Sequence, residues 1–174
     1  GGSHVQADIW TGKLRENFNE FLNQKQTSRG WIYPFKMGFT KNNNPSNYSF
    51  NFTGRWDGCR AVNTSCGGEI GMNALKTTTY DSGATFTITM GQTGKTEYLF
   101  DRIKVFYEQH HQSFELGLDS PYSAKQIIVN KKGGYTEFIF EQPMKQVSFK
   151  CLKTDSIQNI FTLFGLFCDL DAPG

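Results

Sequence analysis

ATFTITMGQTGKTEYLFDRIKVFYEQHHQSFELGL, residues Ala84–Leu118, holds three alternating runs in succession. Phe86, Ile88 and Met90 alternate with Thr85, Thr87 and Thr89. Ile103, Val105 and Tyr107 alternate with Arg102, Lys104 and Phe106. Phe114, Leu116 and Leu118 repeat the pattern. A period of two places side chains on opposite faces of a pleated strand, with one face buried. Three such runs separated by short polar breaks predict an antiparallel sheet that the rest of the chain must cover.

Working outward, the same rhythm returns toward the carboxyl end. Gln126–Asn130 and Tyr135–Phe140 flank Lys131-Lys132-Gly133-Gly134, which reads as a hairpin turn. Val147–Leu152 is a further strand, with Val147, Phe149 and Cys151 on one face. Phe161–Cys168 is apolar on both faces and therefore reads as a central strand. Upstream, Asn47–Thr53 is a strand and Gly54–Gly68 a long irregular loop. Gly30–Thr40 is aromatic but interrupted by Pro34, which marks an edge or a bulge. Ile70–Tyr80 fits a short strand. Only Thr11–Gln24 carries a helical period: Leu14, Phe18, Phe21 and Leu22 share one face, expected to lie against the sheet, with Thr11 as N-cap. Gly1–His4 reads as an expression-tag remnant, and 5–174 as one domain. Eight to ten short strands with a turn every 8–12 residues predict an all-β antiparallel sandwich or jelly roll with one amino-terminal helix.

The 16 Phe suit half-buried strands, where flat rings pack well. A net charge of +2 with no Lys/Arg run lacks the footprint of a nucleic-acid binder. No apolar run reaches the roughly 18 residues of a membrane span. Asn-x-Ser/Thr occurs at Asn47, Asn51 and Asn63, and a strand at 47–53 would turn Asn47 and Asn51 to solvent. Four cysteines allow three pairings. Local pairing, Cys59–Cys66 and Cys151–Cys168, is the expected one, and the spacings do not fit a structural zinc site. Sequons and an even cysteine count point to the secretory route and to a piece of a larger extracellular protein.

Candidate chemistry is sparse. Arg55, Trp56, Asp57 and Arg60 combine an aromatic plate with fixed polar groups in one loop, the requirement of a sugar site. Arg can also grip a carboxylate with its planar fork. Tyr122, between Pro121 and Ser123, reads as an exposed contact, and Trp31 with Tyr33 as core. His110-His111 are adjacent, so on a strand they would diverge, and with their Gln neighbours they read as a turn. Among Asp57, Glu69, Asp81, Asp101, Glu108 and Glu115 a catalytic pair would have to assemble in space. No cofactor motif is present. Calcium would need several oxygens at one loop, with Asp57, or Asp119 and Ser120, as candidates.

Five stretches carry a resemblance to the discoidin family of galactose-binding-like jelly rolls, which includes the coagulation-factor C-type modules. ATFTITMG resembles a family strand ending in Leu-Gly, and YLFDRIKVFYE the strand that follows. GGYTEFIFEQPMKQVSFKC resembles the aromatic strand, proline and alternating strand near the end, and FTLFGLFCDL the closing strand. FTGRWDGC resembles the loop in which an Asp-Gly and a Trp precede the core strands. The resemblance covers residues 50–170. It implies a non-catalytic module whose end loops contact a glycan, a lipid headgroup or a protein, in some members with a structural calcium. The combined expectation is an extracellular adhesion module that recognises a carbohydrate or a cell-surface glycoprotein. The alternatives are a structural domain of a surface or viral glycoprotein, or an enzyme acting on polysaccharide.

Overall fold

The computed structural model of the chain describes residues 8–38, 45–63 and 65–171. The tag reading of Gly1–His4 lies outside the described residues. Among the described residues fourteen strands follow one helix, α1 (Ile9–Phe21). The alternating runs become β6 (Thr85–Met90), β9 (Phe100–Tyr107) and β10 (Glu115–Leu118). With β3 (Tyr48–Phe52) and β13 (Gln146–Leu152), β6 and β10 form a four-stranded antiparallel sheet in the order β10-β13-β6-β3.

The second sheet runs β11-β12-β9-β14-β5-β4, comprising β11 (Gln126–Asn130), β12 (Tyr135–Met144), β9, β14 (Phe161–Asp169), β5 (Leu75–Thr79) and β4 (Asp57–Arg60). β2 (Gly30–Ile32) also pairs with β14, as a seventh strand. β1 (Gln26–Thr27), β7 (Gln92–Thr93) and β8 (Thr96–Tyr98) make a small third sheet from segments that show no long alternation.

The two larger sheets meet through the residues that alternation turned inward. Phe86, Ile88, Val147 and Phe149 of one sheet, and Ile103, Val105, Phe138 and Leu163 of the other, are all at 0% exposure in one apolar cluster. Phe149 stacks on Phe86 at 5.1 Å and meets Phe138 of the facing sheet edge-on, also at 5.1 Å. Each such ring contributes roughly 1.5–3 kcal/mol by leaving water, with about 0.5–1.5 kcal/mol more per aromatic pair. β14 is central, as its two apolar faces require. Its pairing with β9 shifts register between Leu163 and Gly165. Phe161 and Leu163 face inward before the shift, Leu166 and Cys168 after it, so one strand serves the core in two phases.

Three expectations are corrected. The Cys59–Cys66 disulfide is present, with Cα atoms 5.8 Å apart. Cys151 and Cys168 are not bonded to each other: they sit on different sheets as buried free thiols, filling core space as small apolar groups. Pro34 follows a strand of only three residues and opens a turn at 35–38, so the strand expected over Gly30–Thr40 stops at Ile32; its residues 39 and 40 lie outside the described residues.

The third correction concerns α1. The helix forms, but its apolar face is turned to solvent: Trp10, Leu14, Phe18, Phe21 and Leu22 are all exposed. The docked face is polar, and Asp8 rather than Thr11 occupies the N-cap position. Asp8 is buried and receives hydrogen bonds from Thr11, Arg15 and Asn47 Nδ2 (2.6 Å), with Arg29 3.1 Å away. Burial alone would raise its pKa. The bonds from Arg15 and Thr11, the Arg29 charge and the Asn47 bond outweigh burial and hold the carboxyl below its ordinary value.

Burial pushes the Cys151 thiol up to about 12 and, against a hydrogen bond with Thr77, the Tyr33 hydroxyl up to about 12. Their unfolded values lie near 9 and 10, so on raising the pH the unfolded chain loses these protons first. The stability they contribute is complete below about pH 9 and is lost between there and about pH 12, at up to about 1.4 kcal/mol per unit for each group. Urea midpoints measured from neutral pH upward should fall through this window, and less steeply for Tyr33→Phe.

Candidate functional site

The loop singled out in the sequence does not assemble a site. Trp56 is 1% exposed, packed edge-on to Phe86 (6.0 Å) and Phe161 (6.3 Å), and its indole N–H donates to the Thr53 carbonyl at 2.8 Å. It is a core residue, because the chain after β3 turns over the sandwich end and drops the ring between the sheets. Arg55 and Asp57 are exposed and 3.9 Å apart, and Arg60 ends β4 half-buried. Tyr122 is half-buried against the core, its hydroxyl accepting from Gln146 Nε2 at 2.6 Å. Gln146 pairs with Thr89 near one end of β6, whereas Phe52, leading to Arg55, pairs with Phe86 near the other. Tyr122 and the Arg55 loop are therefore at opposite ends of the sheet.

A different set of side chains converges on the outer face of the seven-stranded sheet. Trp31, Phe106 and Tyr135 form a row with ring centroids 5.2 Å apart at each step and successive planes tilted by 50°. All three are partly exposed. Gly165 permits the row. It lies on β14 between β2 and β9, and a Cβ there would come within 2.4 Å of the Trp31 ring. Its φ of +148° is also one that side-chain-bearing residues rarely adopt. Without a side chain at 165, the indole lies across the strand and reaches Phe106.

Both ends of the row are pinned. Trp31 Nε1 donates to Asn73 Oδ1 at 3.0 Å, and Asn130 Nδ2 donates to the Tyr135 hydroxyl at 3.0 Å. The Lys104 ammonium lies 5.4 Å from the Tyr135 ring centroid and 3.9 Å from Glu137. Such rings offer apolar plates at a low entropy cost.

Beside the row opens a cleft of about 590 Å³, lined by Trp31, Phe106 and Phe164 and by the loops at Glu69–Met72, Glu108–His110 and Lys131–Gly134. A second cleft of about 650 Å³ adjoins through Tyr107, Gln109, His110 and Lys131. Gln109 lines both, and its carboxamide nitrogen and oxygen are shielded from solvent with no hydrogen-bond partner. An unpaired buried amide costs roughly 1–3 kcal/mol per group, which favours turning the side chain out to a ligand that supplies both a donor and an acceptor.

The loop that carries Gln109 is set by its own bonds: the His110 N–H donates to Ser113 Oγ (3.2 Å) and the Gln112 N–H to His110 Nδ1 (3.1 Å). The histidine pair is the turn expected from its neighbours. Phe106 was the available signal for this surface, an apolar ring on the otherwise charged side of the β9 alternation.

Of the carboxylates considered for a catalytic pair, Glu69 and Glu108 line the first cleft and Glu115 the second. Asp81 accepts from the Arg55 N–H, and Asp101 from the Asp171 N–H. Among the described residues no group of three or more His, Cys, Asp or Glu side chains is placed to hold a metal ion. Nor, among them, is any helix long and apolar enough to cross a membrane.

The sequons divide. Asn51 faces solvent on β3 and Asn63 is exposed in the disulfide-closed loop. Asn47, expected to share the outer face with Asn51, is 3% exposed, and its side chain binds Asp8 and Arg29. Mass spectrometry of protein passed through a eukaryotic secretory pathway should find glycan at Asn51 and Asn63 and none at Asn47. Gly165→Ala should displace the Trp31 indole, shifting its fluorescence and costing about 1–3 kcal/mol in urea denaturation. No family model matches this chain, and no curated protein shows a significant match to it.

Proposed function

We propose that this chain is a non-catalytic binding module of an extracellular glycoprotein, and that it recognises carbohydrate on the outer face of its seven-stranded sheet. The single observation behind this reading is the Trp31–Phe106–Tyr135 row running beside a cleft that holds the unpartnered Gln109 carboxamide. Sugars present apolar C–H faces and hydroxyls that both donate and accept. An aromatic plate meets the first, and the unpartnered Gln109 amide meets the second once its side chain turns out into the cleft. Lys131 and Lys132, at the rim and without salt-bridge partners among the described residues, favour a glycan carrying a carboxylate or sulfate. Extracellular placement draws on the Cys59–Cys66 bond and the two exposed sequons.

Membership of the discoidin-type jelly rolls belongs to the same proposal. The free Cys168 departs from that family's habit of joining an early cysteine to the last one. The sheet-face surface proposed here also differs from the end loops that the resemblance implies, and from the Arg55–Arg60 loop that the residue chemistry singled out.

A second reading draws on β11, an edge strand whose Ile127, Ile128 and Val129 are all exposed. Such an edge suits strand addition by a protein partner. An enzyme reading draws on Glu69 and Glu108 in the one cleft, and turnover of any oligosaccharide would promote it.

A glycan array, followed by titration of the best ligand against intrinsic fluorescence, tests the first reading. Trp31→Ala should weaken binding roughly tenfold or more and Gln109→Ala by several-fold, with thermal unfolding of both still cooperative. Undiminished binding by folded Trp31→Ala, or an array with no ligand, would overturn it.

A further inference from the structure

The apolar side of α1 is the largest contradiction between this chain's composition and its exposure to water. Trp10 is 70% exposed, Phe18 58% and Phe21 84%, with Leu14 at 57% and Leu22 at 58%. The opposite side is committed to the domain through Asp8, Arg15 and Asn19. The stripe therefore cannot turn inward without breaking the Asp8 cluster. At roughly 150–250 Å² per aromatic side chain, the three rings present on the order of 400 Å². Leu14 and Leu22 bring the stripe to on the order of 600 Å², at the upper end of the largest patch usual for a monomer and most of the roughly 800 Å² each partner contributes to a standard interface.

We infer that this face of α1 is a homodimer interface, in which the helix packs antiparallel against α1 of a second copy of the chain. The apolar stripe can face its own copy in either direction, and the charges beside it select the antiparallel one. A two-fold axis normal to the helix near residues 15–17 sets Trp10 against Phe21 and Leu22, and Leu14 against Phe18. It also brings the same edge of both helices together with their ends exchanged.

Lys13 and Glu20 lie on that shared edge, seven residues apart along α1. Lys13 of one copy then meets Glu20 of the other, twice per dimer. Glu20 makes no ion pair in the monomer among the described residues, while Lys13 pairs with Glu16 at 2.7 Å. A parallel pairing would leave both Glu20 side chains unmatched. A lipid surface is the poorer occupant. Interfacial helices line their stripe with Lys and Arg, whereas here Glu20 stands beside Lys13 and would oppose anionic headgroups.

The experiment is sedimentation equilibrium of the full chain over the micromolar range. The mass should rise from 19.7 kDa toward twice that value with concentration. Phe18→Glu with Phe21→Glu should remain monomeric while keeping the far-ultraviolet spectrum of the parent. Lys13→Glu should weaken association roughly three- to tenfold, since two pairs are reversed, and adding Glu20→Lys to the same chain should restore it. A monomer at every concentration would overturn the inference, as would a dimer that survives the double Phe substitution. So would a monomer whose Trp10 fluorescence shifts only on adding vesicles, and failure of the charge exchange to restore association would remove the antiparallel arrangement.

Discussion

Phe149 sits between Phe86 on its own sheet and Phe138 on the other, and the rest of the molecule depends on that contact. It fixes which face of β6, β12 and β13 points inward, because a shift by one residue would put Thr87 of β6, Lys150 of β13 or Glu137 of β12 between the sheets. Once the inner faces are set, the outer faces follow. Phe106 and Tyr135 are outward because Val105 and Thr136 are inward. The proposed binding surface is thus the reverse side of the core pattern, and the two are specified by the same alternation.

The sheets themselves were legible in the sequence wherever several alternating residues ran together, as in β6, β9 and β13, and β14 was legible as a run apolar on both faces. What alternation cannot give is distance. Trp56 looked like a loop residue because Arg55 and Asp57 flank it, and only its long-range partners Phe86 and Phe161 make it core. The parity of the cysteines was equally uninformative. Cys59 and Cys66 are brought together by one tight loop, whereas Cys151 and Cys168 are placed by strands on different sheets.

The helix teaches a separate lesson. Periodicity located α1 and its apolar stripe, but a stripe says only that two faces differ, not which one docks. That choice was made by Asp8, whose carboxylate gathers Thr11, Arg15, Arg29 and Asn47 from three separate parts of the chain. Two of those partners are more than 20 residues away, so nothing local could have announced them. The same cluster explains why Asn47 left the solvent face: its amide is consumed by the helix anchor. A buried ion cluster of this kind contributes less to net stability than to holding one arrangement against others.

Gly165 ties two selective demands to a single position. The central strand changes phase there, and Trp31 crosses there, so the spine of the fold and the floor of the proposed recognition surface share one residue without a side chain. Descendants of this chain can exchange Phe106 or Tyr135 for other rings without disturbing the strand phase. They cannot enlarge residue 165 without remodelling both at once. Diversification of this face is therefore channelled into its rim, the loops at Glu69–Met72 and Glu108–His110, where a change of side chain leaves the strands beneath untouched.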